Sequence, residues 1–222
     1  WVHGGGDNAW SNPDNWSSAA GGTGGAGVPA AGDHVHFTSD RTDTCTVDAE
    51  ALVAAISLHH GYTGTVVQNN ATTTTGPFTL DQGTWDANAT LSVGDDYTQS
   101  GGVLAVVDRY EVVCGGSFTR TGGTIPNREL QLKITGTGDL HVSGNEQHGG
   151  LQLFGITFSD GCDVTLRSAA STVNGSVVHE SGSVFRITRG YQFTAGTSLS
   201  VPAGAQILDD VGGGTRPGVY QI

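Results

Sequence analysis

The chain has 222 residues, of which 36 are glycine and only 14% are charged, and its formal net charge is −12. The sequence has nine lysines and arginines against 21 aspartates and glutamates. It therefore lacks the basic surface that binds nucleic acid or an anionic lipid headgroup, and no nucleic-acid partner is expected. Apolar runs are short, and none reaches the roughly 18 residues of a membrane helix, so no membrane insertion is expected.

The first 31 residues form a segment of their own character. They contain Trp1, Trp10 and Trp16 within a loop that is rich in Gly, Ser and Asn. A segment of this composition frays unless something holds it in place. Two interpretations stay open: residues 1–31 fold back as a cap on their own chain, or the three tryptophans dock on another molecule. We therefore take these tryptophans as candidate assembly or binding residues.

Strand patterns begin at residue 32. In His34-Val35-His36-Phe37 the polar and apolar residues alternate, which is typical of a strand with one buried face. The pattern places His34 and His36 on the same face, where two imidazoles could bind a metal. No third ligand is evident, so we expect solvent-exposed histidines and assign no metal site. Residues 48–58, which follow, are compatible with either a helix or a strand.

Between residues 64 and 125 the chain repeats one sequence motif. An aromatic residue followed by threonine recurs at steps of 19 and 21 residues, and a glycine before a small or apolar pair recurs at the same steps. In a stacked repeat these columns would form an aromatic ladder and a ladder of turn glycines. The predicted ladder residues are Phe78, Tyr97, Phe118, Gly83, Gly102 and Gly123.

A period of 19–21 residues indicates the fold class. It is too short for helical repeats or propeller blades, and it suits one coil of a parallel β-solenoid with short strands and glycine-rich turns. We therefore predict an all-β parallel solenoid over residues 32–208, with a right-handed coil favoured. An antiparallel sandwich, with the Gly-Gly pairs as hairpin turns, is the alternative.

The last segment, residues 209–222, is predicted to contain a strand that pairs with a neighbouring molecule. Val219, Tyr220 and Ile222 are its candidate assembly residues. The chain contains no methionine, so we expect a processed protein that is extracellular or at the cell surface after removal of a signal peptide. The three cysteines are far apart in sequence and are predicted to be small core residues.

Several stretches resemble bacterial cell-surface and autotransporter-like β-helix proteins. They are "WSNPDNW", "VPAAGDHVHF", "GYTGTVVQ", "SVGDDYTQSGG" and the closing "VGGGTRPGVYQI". The resemblance implies a β-helix that opens with a Trp-Asn-Trp motif, and a place at the cell surface. It implies no particular activity, because such repeats occur in adhesins, stalks and sheaths alike.

Catalysis is not expected, although some β-helices degrade polysaccharides. Asp95 and Asp96 lie one repeat from Asp81, and two carboxyl groups in a groove could act as acid and base. However, Gly116 or Ser117 stands at the equivalent position one repeat later, which is how a turn residue behaves. No nucleophile elbow, phosphate loop or dinucleotide fingerprint is present, so no cofactor is expected.

The two ends of the solenoid therefore become the predicted functional regions. Open solenoid ends are unpaired strand edges, and proteins must cap or use them. We expect a secreted structural protein whose copies join head to tail into a filament, sheath or surface layer. The alternatives are an adhesin-like or glycan-binding surface module, and a viral or phage fibre or decoration protein.

Overall fold

The computed structural model describes residues 1–126, 129–142, 151–167, 171–188, 192–196, 198–210 and 219–221. Within these residues the chain is all-β apart from one turn of 3-10 helix at Pro13–Asn15, and its strands are numbered β1 to β25 in chain order. Hydrogen-bonded neighbours run parallel throughout. The predicted parallel β-solenoid is confirmed, and the antiparallel sandwich is excluded.

The strands form four sheets. Sheet I has nine strands: β1 (His34–Phe37), β4 (Ala55–Leu58), β7 (Phe78–Leu80), β10 (Tyr97–Gln99), β13 (Phe118–Arg120), β15 (Thr137–Val142), β18 (Asp163–Leu166), β21 (Val184–Thr188) and β24 (Gln206–Asp210). Sheet II has four strands: β2 (Cys45–Val47), β5 (Thr65–Gln68), β8 (Thr84–Ala87) and β11 (Val103–Val106).

Sheets III and IV complete the coils. Sheet III has eight strands: β3 (Ala51–Val53), β6 (Thr72–Thr74), β9 (Leu91–Val93), β12 (Glu111–Cys114), β14 (Gln131–Ile134), β17 (Gly155–Phe158), β20 (Ser176–His179) and β23 (Ser198–Ser200). Sheet IV has four strands: β16 (Leu151–Leu153), β19 (Ser171–Val173), β22 (Gln192–Ala195) and β25 (Val219–Gln221). In chain order sheet IV takes the place that sheet II holds in the earlier coils. Residues 48–58, left open between helix and strand, form β3 and β4.

The core fills the inside of the coils because side chains alternate along each short strand. In β1, Val35 and Phe37 are buried while His34 and His36 are exposed. In β7, β10 and β13 the first and third residues are buried and the middle one is half-buried. Burying a large side chain of this kind stabilises the fold by about 1.5–3 kcal/mol relative to leaving it exposed.

The aromatic column lies in register. Phe78 pairs with Tyr97, and Tyr97 pairs with Phe118. Their rings stack within 5° of parallel, with centroids 5.4 Å and 4.7 Å apart. Aromatic pairs at this spacing contribute about 0.5–1.5 kcal/mol beyond the area that they bury. The predicted turn glycines Gly83, Gly102 and Gly123 all have positive φ, between 61° and 79°.

The neighbouring inward column is apolar except at two positions, because Val142 follows Arg120 in register. Leu58 and Leu80 are followed in register by Gln99 and Arg120. Both polar side chains are buried, and they reach carbonyl oxygens of the glycine turn. The Gln99 amide donates to Gly102 at 3.4 Å, and the Arg120 guanidinium donates to Gly123 at 2.7 Å. Buried polar groups are tolerated where such partners exist.

The three cysteines are free and buried. Burial raises the pKa of Cys114 and of Cys162 to about 11, and it raises the pKa of Cys45 as well. The thiolate is the reactive form of cysteine, so these three residues act as small core side chains.

Candidate functional site

An aromatic cluster closes the N-terminal end of the solenoid. Trp1, Trp10 and Trp16 are at most 6% exposed. The Trp16 ring contacts Trp10 and Trp1 edge to face, with centroids 4.6 Å and 5.1 Å apart. It also lies 6.2 Å from the ring of Phe37, which belongs to the first coil. The tryptophans therefore extend the hydrophobic core beyond β1.

Backbone hydrogen bonds attach this segment to the first strands of two sheets. Trp1 N–H donates to the His36 carbonyl oxygen at 3.0 Å, on β1. Trp10 N–H donates to the Thr46 carbonyl oxygen at 2.8 Å, and Thr46 N–H donates to Asn8 at 2.6 Å, on β2. These bonds satisfy edge groups that would otherwise be open to pairing with another chain. We call residues 1–31 the N-terminal cap.

Asn15 organises the cap from inside. It is fully buried, and its side-chain NH₂ donates to Asp7 Oδ1 at 2.7 Å and to the Ala9 carbonyl at 2.9 Å. Its side-chain oxygen accepts from Gly5 N–H at 2.9 Å. Sequence reasoning missed this role. The only available signal was an asparagine between Pro13 and Trp16, where a short helical turn ends.

The three candidate assembly or binding residues Trp1, Trp10 and Trp16 are packed within their own chain. This packing favours the interpretation that residues 1–31 fold back as a cap. Docking of these tryptophans on a second molecule or a sugar stays a prediction.

A cleft of about 450 Å³ lies between the cap and β1. This volume is in the range of small-molecule sites. Its walls combine apolar edges with hydroxyl, imidazole and carboxylate groups. The residues that line it include Trp1, Trp16, Ser17, Ser18, Asp33, His34, His36 and Thr38.

His34 and His36 of β1 are both exposed, on the same face of the strand. The ring of His36 contacts His59, which follows β4, with His36 Nδ1 and His59 Nε2 2.8 Å apart. Partial burial lowers the pKa of His36, and nearby His59 and His34 lower it further. The neutral imidazole is therefore favoured at His36. Within the described ranges, no group of three or more His, Cys, Asp or Glu side chains is placed to hold a metal ion.

The acidic residues considered for catalysis support turns. Asp96 Oδ1 accepts from Ser117 N–H at 2.7 Å, one coil further along. Asp81 Oδ1 accepts from the Ser100 hydroxyl at 2.6 Å, again across coils. These bonds use the carboxylates to join successive turns. Asp209 and Asp210 are a second pair of adjacent carboxylates in the sequence, and their side chains lie outside what the structure describes.

The C-terminal end differs from the capped end. Phe185 and Val177 are fully buried, whereas their partners one coil later, Ile207 and Leu199, are only partly buried. Val201, just after β23, is 44% exposed. In the described part of the chain, β23, β24 and β25 each pair with one strand only, as β1, β2 and β3 do at the other end. The ends differ because β1 and β2 also bond to the backbone of the N-terminal cap. Val219 and Tyr220 lie in β25, while Ile222 lies outside the described residues.

Comparisons with known proteins give no relative: no family model, curated protein or solved structure matches this chain. The resemblance to surface β-helix proteins therefore stays a prediction. The part of the chain that the structure describes contains no helix with the length and hydropathy that a membrane crossing needs.

Proposed function

We propose that the protein is a structural β-solenoid of an extracellular or cell-surface assembly, joined to a second copy through its C-terminal end. The observation that carries this proposal is the contrast between the ends. The first coil is covered by Trp1, Trp10 and Trp16, whereas Ile207 and Leu199 in the last described coil remain partly exposed. Open strand edges beside apolar side chains are what strand-to-strand association uses.

The form of the assembly depends on the cap. A head-to-tail filament needs the capped end to accept the C-terminal strands of the next copy. Two C-terminal ends can instead meet around a two-fold axis, which gives a closed dimer with antiparallel contacts between the copies. The covered edges of β1 and β2 favour this closed pairing in the intact protein.

A matched pair of substitutions tests the C-terminal contact. Val201 and Val28 are 44% and 40% exposed, and they lie near opposite ends of the chain. We expect Val201→Asp to weaken self-association at least about tenfold, because a carboxylate in an apolar contact must be desolvated. Val28→Asp should associate like the unmodified protein. Sedimentation velocity over a range of concentrations measures both.

Salt provides an internal check on the same experiment. The net charge of −12 makes two copies repel each other, so association should strengthen as salt is added. A protein that stays monomeric at every concentration and salt level would contradict the proposal. Equal effects of Val201→Asp and Val28→Asp would also contradict it.

The cleft supports a second candidate function, the binding of a neutral glycan. Hydroxyl groups of a sugar could hydrogen-bond to the His34 imidazole and to Ser17 and Ser18 at its wall. We expect saturable retention of an oligosaccharide on a glycan array, and a loss of about tenfold or more in affinity for His34→Ala. His60→Ala, an exposed histidine that is not among the residues lining the cleft, is the control. Unchanged binding by His34→Ala would exclude this site.

A further inference from the structure

Two imidazoles from successive coils meet on the outer surface of sheet I. β1 and β4 pair in register, with His36 opposite Ser57 and Phe37 opposite Leu58. His59 follows directly, and its N–H donates to the Phe37 carbonyl oxygen at 2.9 Å. The two side chains therefore lie side by side because the backbone ladder holds their strands together.

The geometry of this pair is close to that of two ligands of one ion. His36 Nδ1 and His59 Nε2 are 2.8 Å apart, and the ring planes are within 25° of each other. Imidazole nitrogen binds divalent transition metals at about 2.0–2.1 Å. Two such nitrogens at adjacent, right-angled positions are about 2.9 Å apart, the arrangement of square-planar and octahedral sites. A small rotation of each ring would direct both lone pairs to one point.

We propose that His36 and His59 form a two-histidine site for a divalent transition ion of the Ni²⁺ or Cu²⁺ type. The other coordination positions are filled by water, since no third His, Cys, Asp or Glu side chain of the described residues completes the set. An ion held by two protein ligands exchanges readily, so the site is a surface site and not a structural centre.

The chemical surroundings agree with this assignment. The ligating nitrogens, His36 Nδ1 and His59 Nε2, already face each other across 2.8 Å. The open positions of a bound ion would be accessible from solvent, since His36 is exposed and lines the cleft beside His34. A neutral pair without a metal can share only one hydrogen bond between the two nitrogens.

Isothermal titration with Ni²⁺ tests the proposal on the full chain. The parent and every variant in this titration should carry His3→Ala, so that the imidazole of His3 adds no Ni²⁺ binding of its own. We expect the double variant His36→Ala/His59→Ala to bind one equivalent fewer than the parent. Each single variant, His36→Ala or His59→Ala, should bind Ni²⁺ more weakly by a factor above roughly 10 to 100. That factor is the loss of affinity on removing a residue that only hydrogen-bonds to a ligand.

The controls separate this site from nonspecific binding by other histidines. His60→Ala changes the exposed residue next to His59 and should leave the isotherm unchanged. Circular dichroism of each variant should match the parent, because the replaced rings lie on the surface. The proposal fails if the double variant binds the same number of Ni²⁺ ions with the same affinity, or if the parent binds none.

Discussion

Gly123→Ala is expected to lower the free energy of unfolding by about 3 kcal/mol or more. Gly123 has φ of 68°, and an L-residue in this conformation costs about 1–2 kcal/mol. A Cβ at this position would also overlap the backbone carbonyl of Gly101 one coil away. Relieving that overlap must push two coils apart, and overpacking of this kind costs about 1–3 kcal/mol more. Urea unfolding followed by circular dichroism measures the loss.

Gly161→Ala is the matched control. Its φ is 75°, but no heavy atom lies within 4 Å of the added Cβ. It should therefore show the conformational cost of about 1–2 kcal/mol alone. If the two variants lose the same stability, close stacking of the glycine turns is not what requires glycine at residue 123.

Trp16→Ala is expected to detach the N-terminal cap. The indole contacts Trp1, Trp10 and Phe37, and its N–H donates to the Trp10 carbonyl oxygen at 2.7 Å. Removing a buried tryptophan of this kind costs about 3–5 kcal/mol. Residues 1–31 should then become sensitive to protease, while the coils beyond β4 stay protected. Limited proteolysis with mass spectrometry reads this directly.

The same variant bears on assembly. A detached cap would expose the edges of β1 and β2, so both ends of the solenoid become able to pair and open-ended growth becomes possible. Trp16→Ala should thus form longer rods in negative-stain microscopy, whereas Trp16→Phe, which keeps an aromatic ring, should not. Protection of residues 1–31 in Trp16→Ala, or an unchanged size distribution, would contradict this expectation.

The coils could be predicted from the sequence because stacking puts similar residues at equivalent positions. Phe78, Tyr97 and Phe118 occupy the same place in successive coils, so sequence spacing alone aligned them. Arg120 could not be predicted to lie inside. It follows the position of Leu80 and Gln99 in register, and its burial depends on the turn carbonyl that it reaches.

The cap and the contact between His36 and His59 are not predicted by aligning repeated residues. Each occurs once, so no repeated column reveals it. The cap depends on Asn15 and on contacts between residues far apart in sequence. The pairing of His36 with His59 follows from the sequence only if Val35 and Phe37 align with Ile56 and Leu58 as inward residues. That alignment needs a strand at residues 55–58, and the sequence is compatible with either a helix or a strand there.

The position of the cap also has a consequence for how the chain folds. Each strand of sheet I pairs with one about twenty residues away, so closing each coil requires only a short loop and a modest entropic cost. A new coil needs a finished coil as its template, and the capped first coil supplies one. Residues 1–31 are made before the rest, so assembly of the solenoid can proceed in the direction of synthesis, with each coil ordered by its predecessor.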